Sequence, residues 1–255
     1  MAGRGPSVAL VTGAAHRIGR AIALDLAKAG WAVAVHYKES EEAAGTTAAE
    51  IEASGGRARA IHADLARAAD AEQLIPRVAG ALGPVACLIN NASVFENDAL
   101  GSATAETWDA HLDTNLRAPM LLMQSFAAGL PDGAEGNIIN ILDQRVWNLT
   151  PHFMSYTVSK AGLWTLTQTA ALALAPHIRV NGIGPGPVLP SSRQNESDFE
   201  RQVAALPLGH GPGVEEICAT VRFILEAKSM TGQMIALDGG QHLSWGTPGP
   251  PAPFE

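Results

Sequence analysis

The feature that most constrains the fold is a strand, a glycine-containing turn and a helix at the start of the chain. Val8 to Val11 is a short apolar run, the segment 12–19 contains Gly13 and Gly19, and 20–28 has the apolar spacing of a helix. A second apolar segment, 31–37, follows at the distance expected for a parallel βαβ unit. The two glycines would let the chain turn and the helix pack closely, leaving N–H groups at the helix start for a phosphate. The simpler alternative is an ordinary strand-to-helix turn.

The rest of the chain alternates strand-like and helix-like segments, which predicts an α/β fold with a doubly wound parallel sheet (a Rossmann fold) in one domain. The further strand candidates are 58–62, 84–89, 137–142 and 178–183, and the two longest helix candidates are 108–123 and 151–175. In such sheets, ligands bind outside the carboxyl ends of the strands. The polar residues that follow each predicted strand should therefore line one crevice with the glycine turn.

Composition and charge narrow the possible partners. A net charge of −8 and the lack of a basic stripe argue against nucleic acid. Cys87 and Cys218 are far apart, so a disulfide or metal site has little support, and a reducing compartment fits. No apolar run is long enough to span a bilayer, and the first six residues lack the apolar core of a signal peptide. We therefore expect a cytoplasmic protein that acts on a small molecule, with no metal and no membrane partner.

Two regions lie outside the regular alternation. A polar, proline-broken segment, about 187–213, follows the last glycine-rich strand end and is expected to be a mobile substrate loop with a short helix at 199–206. The last ten residues, 246–255, are rich in proline and glycine and have no periodicity. The sequence thus predicts a domain over residues 1–245 and a tail that a neighbouring subunit would order.

Tyr156 and Lys160 lie one helical turn apart, and Asp143 precedes Tyr156 by thirteen residues. An ammonium beside a phenol favours the phenolate, which lowers the tyrosine pKa and makes the phenol a usable proton donor. Taken alone, this spacing is more often an amphipathic surface pair. The spacing indicates catalysis only if the fold brings these three residues to the predicted crevice.

Together, these motifs resemble the short-chain dehydrogenase/reductase superfamily over nearly the whole chain, from Val8 to Leu243. The matching residues are Thr12, Gly13, Gly19, Asp64, Asn90, Asn91, Ala92, Asn115, Asp143, Tyr156, Lys160, Pro185 and Gly186. Three residues depart from the usual pattern: Arg17 replaces the middle glycine of the turn, Ser93 follows Asn-Asn-Ala in place of glycine, and Asp143 replaces the catalytic serine. These departures resemble the pteridine reductases and the bacterial dihydromonapterin reductases. Residues that also match that branch are His36, Tyr37, Ser40, Phe95 and the segment 237–243.

Arg17 in the turn, and the lack of an acidic residue at the end of the second strand, favour NADPH over NADH because the arginine can pair with a 2′-phosphate. Arg17 could instead be a solvent-facing residue at the helix start. Glu39 would repel that phosphate, and Lys38 beside it would compensate. The resemblance implies a cofactor site made of Gly13, Arg17, Ile18, Gly19, His36, Tyr37, Lys38, Ser40, Asp64, Leu65, Asn91, Ala92, Ser93, Tyr156, Lys160, Pro185 and Gly186.

The resemblance implies a catalytic set of Asp143, Tyr156, Lys160 and Asn115. Asp143 and Tyr156 would pass a proton to a pterin ring nitrogen, Lys160 would hold the nicotinamide ribose, and Asn115 would kink its helix to keep a proton-wire water. Phe95 would stack on the pterin, and Ser93, Asp143 and Tyr156 would contact it; each could also be an ordinary core, loop or capping residue. Trp147 and Arg193 are weaker substrate candidates.

The expected activity is thus NADPH-dependent reduction of a dihydropterin such as dihydromonapterin, dihydrobiopterin or dihydrofolate, by a homotetramer. One alternative is a ketone or 3-oxoacyl reductase, which shares most of the motifs. Another is a regulator that binds NADP(H) without turnover, against which the intact Asn115, Tyr156 and Lys160 argue.

Overall fold

The computed structural model describes residues 7–190 and 194–244. In that part of the chain, seven parallel strands form one sheet in the order β3-β2-β1-β4-β5-β6-β7. The strands are β1 (Val8–Val11), β2 (Ala32–Tyr37), β3 (Arg57–His62), β4 (Val85–Asn90), β5 (Gly136–Ile141), β6 (Ile178–Pro185) and β7 (Met234–Leu237). The predicted doubly wound Rossmann fold in a single domain is confirmed.

Helices cover both faces of the sheet. They are α1 (Arg17–Lys28), α2 (Glu41–Ala53), α3 (Ala68–Leu82), α4 (Ala105–Leu112), α5 (Ala118–Gly129), α6 (Met154–Leu174), α7 (Glu196–Ala204) and α8 (Val214–Glu226). One apolar core joins the sheet to α1, α2 and α8, and the other joins it to α3, α5 and α6. Among the described residues, no helix combines the length and apolarity needed to cross a membrane.

The apolar run of β1 explains why this strand lies in the interior of the sheet. All four of its residues are buried, with Leu10 in one core and Ala9 and Val11 in the other. A parallel strand covered on both faces needs apolar residues on both sides, so it reads as a continuous run. Pairing of Val11 with residues of both β2 and β4 then places the ends of these strands side by side.

Several helix boundaries differ from the sequence-based expectations. Helix α1 starts at Arg17, inside the glycine turn, rather than at residue 20. The helix expected over 108–123 starts at Ala105, passes through a π-helical turn at Asp113–Arg117 and ends at Gly129. The loop helix lies at 196–204 rather than 199–206, where Asn195 caps it by accepting the N–H of Asp198. The predictions for Arg193 and for the tail 246–255 lie outside the described residues.

Candidate active site

A cavity of about 730 Å³ opens at the carboxyl ends of the strands. Every residue of the predicted catalytic and cofactor sets contributes to its lining except Asn115, and so does Phe95. The lining also contains residues that the sequence analysis did not single out, among them Glu96, Arg145, Gln194, Gln202 and Gln241. The fold therefore brings the separate motifs together at the carboxyl ends of the strands, where the sequence analysis expected one crevice.

The glycine turn has the backbone that a dinucleotide phosphate needs. Gly13 has a φ of +62°, and a Cβ on Gly19 would lie 2.3 Å from the carbonyl oxygen of Gly13. No side chain caps the start of α1 at His16, so the first N–H groups of this helix face the cavity without a side-chain acceptor. An anion at this point would accept those N–H groups and meet the positive end of the helix dipole. The residues present thus fit the phosphates of a dinucleotide.

Arg17 keeps the conformation of the glycine that it replaces. Its φ is +53°, in the left-handed region that a side chain disfavours. Its guanidinium donates to the carbonyl oxygens of Pro190, at 2.7 Å, and Leu189, at 3.1 Å. In this structure the guanidinium thus reaches the substrate loop across the cavity, and pairing of Arg17 with a 2′-phosphate stays a prediction.

His36 and Asn91 lie at the cavity but mainly support the turn. The Gly13 N–H donates to Nδ1 of His36 at 3.0 Å, and Nε2 of His36 lies 3.1 Å from the carbonyl oxygen of Ala63. Burial lowers the pKa of His36 to about 4, so the ring is neutral. The Asn91 amide donates to the carbonyl oxygens of Thr12, at 2.8 Å, and Gly13, at 3.1 Å. Both side chains thus hold the glycine turn, and their expected contact with the cofactor stays a prediction.

Lys38 lies directly after the end of β2, in the lining of the cavity. Its Nζ is 3.4 Å from Oδ1 of Asp64 and 3.9 Å from Oε1 of Glu39. The ammonium is about half exposed, so an anion can reach it. Compensation of the Glu39 charge by Lys38 toward a phosphate stays a prediction, since Lys38 lies closer to Asp64 than to Glu39.

Asp143, Tyr156 and Lys160 form one connected group at the floor of the cavity. The Tyr156 hydroxyl donates to Oδ2 of Asp143 at 2.8 Å, and the Arg145 N–H donates to Oδ1 at 2.8 Å. The Lys160 ammonium lies 5.7 Å from the centre of the Tyr156 ring and donates to the carbonyl oxygen of Ile141 at 2.8 Å. The carboxyl group and the phenol are thus joined by one hydrogen bond, along which a proton can pass.

Burial governs the electrostatics of this group. It raises the pKa of Asp143, although Arg145, the Tyr156 hydroxyl and Lys160 each oppose that rise. It also lowers the pKa of Lys160 to about 8, because the ammonium is only 3% exposed and Asp143 offsets the burial only in part. Asp143 thus holds a proton more readily than an ordinary aspartate, which suits a proton donor.

Asn115 lies in the π-helical turn at Asp113–Arg117, so the expected kink is present. Its side chain is fully buried and outside the cavity lining. Its amide oxygen accepts the N–H of Val94 at 2.8 Å, and its amide nitrogen donates to the carbonyl oxygen of Val94 at 2.9 Å and to Ser159. The side chain therefore fastens the loop after β4 to α6.

An aromatic cluster forms one wall of the cavity. The ring of Phe95 stacks on Phe153, with centres 4.5 Å apart and planes at 7°, and meets the edge of Tyr156. The guanidinium of Arg145 lies 4.9 Å from the centre of the Phe153 ring. Phe95 is thus placed where a flat substrate can reach it. Trp147 is outside the lining and packs against Trp164 and His242, so its predicted substrate contact is wrong.

Comparison with known proteins identifies the family. The family model for short chain dehydrogenase matches residues 7–201. A 3-oxoacyl-(acyl-carrier-protein) reductase FabG of Staphylococcus epidermidis is 34% identical over 240 residues, covering 92% of this chain and 98% of that protein. A 3-oxoacyl-(acyl-carrier-protein) reductase of Synechocystis sp. is 35% identical over 91% of this chain and 96% of its own length.

Two solved structures are more similar in sequence than these relatives. The FolM alternative dihydrofolate reductase 1 of Brucella canis, complexed with NADP, is 47% identical, with a TM-score of 0.90 over 95% of this chain and 96% of its own. The corresponding protein of Brucella suis, also with NADP, is 48% identical, with a TM-score of 0.92 over 95% and 97%. A blue fluorescent protein from a metagenomic library, in complex with NADPH, is 34% identical, with a TM-score of 0.84 over 92% and 97%.

Proposed function

The chain belongs to the short-chain dehydrogenase family and is an NADPH-dependent oxidoreductase, and within that family we propose that it reduces a dihydropterin-type substrate to the tetrahydro form. The observation that carries this proposal is Asp143, hydrogen-bonded to Tyr156 where a carbonyl reductase of the family would have serine. Its likeness to the two FolM proteins supports the same substrate class.

A carboxyl group at position 143 can make hydrogen bonds to a substrate, and donate a proton to it, in ways that a serine hydroxyl cannot. A serine hydroxyl donates a neutral hydrogen bond to a ketone oxygen. A carboxyl group can accept hydrogen bonds from the amino and ring N–H groups of a pterin, or donate a proton to a ring nitrogen. Reduction of a dihydropterin is the reduction of a C=N bond, which needs one proton at nitrogen. The raised pKa of Asp143 makes that proton available closer to neutral pH.

The residues at the cavity floor have different roles in the proposed reaction. Tyr156 and Asp143 hold the transferable proton between them, and the Lys160 ammonium lies 5.7 Å from the centre of the Tyr156 ring. Phe95, which lines the cavity and is itself stacked on Phe153, would hold the flat ring of the substrate by an aromatic contact. NADPH supplies the hydride when bound, and the turn at Gly13 and Gly19 would hold its phosphates. We assign its 2′-phosphate to Lys38 and Ser40, which follow β2 at the cavity edge.

A series of substitutions at Asp143 tests the proposal. Asp143→Asn should lower kcat/KM for dihydromonapterin or dihydrobiopterin by roughly 10²- to 10⁴-fold, with NADPH affinity nearly unchanged. Asp143→Ser should shift the ratio of kcat/KM values toward simple ketones, and Tyr156→Phe should impair both reactions. Asp132→Asn, at an exposed site outside the cavity, is the matched control.

The second candidate is a ketone or 3-oxoacyl reductase, because the relatives from Staphylococcus and Synechocystis carry that description. The same assay decides between the two. If wild-type protein oxidises NADPH with a 3-oxoacyl thioester but with no dihydropterin or dihydrofolate, or if Asp143→Ser leaves the substrate ratio unchanged, the second candidate is correct.

We also propose that the protein is a cytoplasmic homotetramer. The structure exposes large apolar side chains on two helices, with Leu172 of α6 83% exposed and Phe223 of α8 55% exposed. Isolated apolar residues are normal on a surface, so this supports assembly only together with the family resemblance. Sedimentation at micromolar concentration should give a mass near four times 26.5 kDa, and a monomer would refute the tetramer.

A further inference from the structure

Three buried polar residues from separate parts of the chain meet beside the aromatic wall. Asp98 lies in the loop after β4, His111 in the last turn of α4 and Ser155 in the first turn of α6. His111 and Ser155 are fully buried and Asp98 is 3% exposed. The His111 ring also lies 6.1 Å from that of Tyr156. This cluster takes no part in the proton transfer proposed above.

The hydrogen bonds fix the protonation of the His111 ring. The Glu96 N–H can only donate, and it points at Nε2 from 3.0 Å, so Nε2 is the unprotonated nitrogen. The carbonyl oxygen of Thr107 can only accept, and it lies 2.8 Å from Nδ1, so Nδ1 carries the proton. The Ser155 hydroxyl, 2.7 Å from Nδ1, then shares that proton and donates its own to Asp98. One neutral tautomer satisfies every partner.

Asp98 completes the connection to the catalytic helix. Its carboxylate accepts the N–H and the hydroxyl of Ser155, and its carbonyl oxygen accepts the N–H of Met154. Phe153, just before α6, has a φ of +55° and provides no side-chain cap. Asp98 therefore caps this helix from another segment, with its charge at the favourable end of the helix dipole.

The same contacts hold the aromatic wall. The loop segment 94–98 is fastened at alternate residues: Val94 by Asn115, Glu96 by His111, and Asp98 by the start of α6. Phe95 lies between the first two of these points. The angle of its ring to the cavity thus depends on backbone that His111 holds directly.

We propose that His111 is a positioning residue for the substrate, acting through the Glu96 N–H on Phe95 and through Ser155 on the start of the helix that carries Tyr156. The proposal rests on the proposed function only in that Phe95 stacks on the substrate. Serine, histidine and aspartate also form hydrolase triads. Ser155 is buried away from solvent, however, and Nε2 is already occupied, so no substrate could meet an activated serine here.

Two substitutions at His111 distinguish the role of the hydrogen bond at Nε2 from that of the contacts at Nδ1. In His111→Asn the side-chain amide can reach the position of Nδ1 but not that of Nε2, so the Glu96 contact is lost. In His111→Gln the longer side chain can place its oxygen near Nε2, so that contact is kept. Ser102→Ala is the control, because Ser102 holds the same loop farther along, at the Ala99 N–H.

We expect His111→Asn to raise the KM for dihydrobiopterin about tenfold with kcat within about threefold of wild type, as loss of a positioning hydrogen bond predicts. Hydrogen exchange of the peptide covering 94–98, measured without substrate, should rise at least tenfold in His111→Asn. His111→Gln and Ser102→Ala should stay near wild type in both measurements. Unchanged exchange in His111→Asn, an equal effect of both His111 variants, or a fall in kcat with constant KM would overturn the proposal.

The proposal can still be tested if the His111 variants do not fold or if the proposed function is wrong. If neither His111 variant folds, ¹⁵N spectra of the histidine rings in wild-type protein decide, because a buried histidine protonated at Nδ1 supports the proposal and its absence overturns it. If wild-type protein reduces no dihydropterin, the proposed function fails. The exchange measurement and the KM of whichever substrate it does reduce still decide the role of His111.

Discussion

Lys160→Met should make the cofactor-free protein more stable at neutral pH while abolishing its activity. The ammonium is buried, and its pKa in the folded protein is about 8 against an ordinary value of 10.5. At about 1.36 kcal/mol for each pH unit, this difference amounts to about 3 kcal/mol of destabilisation, fully present below pH 8. The substitution also removes the hydrogen bond to Ile141, which offsets about 1 kcal/mol. The net gain in the free energy of unfolding at pH 7 is then about 2 kcal/mol.

The pH dependence provides the sharper test. Above pH 8 the folded protein releases this proton before the unfolded chain does, so wild type gains stability between pH 8 and 10.5, whereas the methionine variant lacks this gain. The difference between the two proteins should shrink across this range and then reverse. Urea unfolding without NADPH, at fixed protein concentration and several pH values, measures it. Exposed Lys228→Met is the control and should show little difference at any pH.

If Lys160→Met were no more stable than wild type at pH 7, the reasoning would be refuted. A stability difference that stays constant from pH 7 to 10 would refute it equally. Either result would mean that the ammonium is compensated by Asp143 or solvated more fully than its burial indicates.

Two further substitutions test the nucleotide end of the cavity. Gly19→Ala places a methyl group 2.3 Å from the Gly13 carbonyl oxygen. Fluorescence titration should show that it weakens NADPH binding at least a hundredfold. Gly80→Ala, with open space around it on α3, is the control and should bind NADPH normally. Lys38→Ala should weaken NADPH binding by about 1.5–3 kcal/mol and leave NADH affinity nearly constant, because it removes a charge-assisted contact to phosphate. Arg17→Ala should weaken both cofactors, since its guanidinium holds the substrate loop; selective loss of NADPH in that variant would return the 2′-phosphate to Arg17.

The sheet and the cavity were predictable because their signals are local in sequence. Apolar runs such as 8–11 mark buried parallel strands, and the polar residues after them mark strand ends that must lie together. The position of Asp143 next to Tyr156 followed from the family motif, and the structure places the two in direct contact. For these residues, sequence order was enough to predict spatial proximity.

The contacts that the sequence did not reveal join residues far apart in the chain. Arg17 meets Leu189 and Pro190 about 170 residues later, and no local pattern indicates that its guanidinium crosses the cavity. His111 and Ser155 are 44 residues apart, and each alone reads as an ordinary helix residue. Propensity and periodicity describe an element's own residues; they do not tell which side chain of another element will complete its hydrogen bonds.

The buried ring of His36 gives the two ends of the cavity different tolerance to acid. Its pKa of about 4 lies below the ordinary 6.5, so the folded state loses up to about 3 kcal/mol of stability as the pH falls between these values. The incoming proton has to enter at Nδ1 and displace the Gly13 N–H from the turn. Asp143, with its raised pKa, is meanwhile only better protonated. We therefore expect that acidification to about pH 4 weakens the glycine turn at Gly13 before it affects the protonation of Asp143.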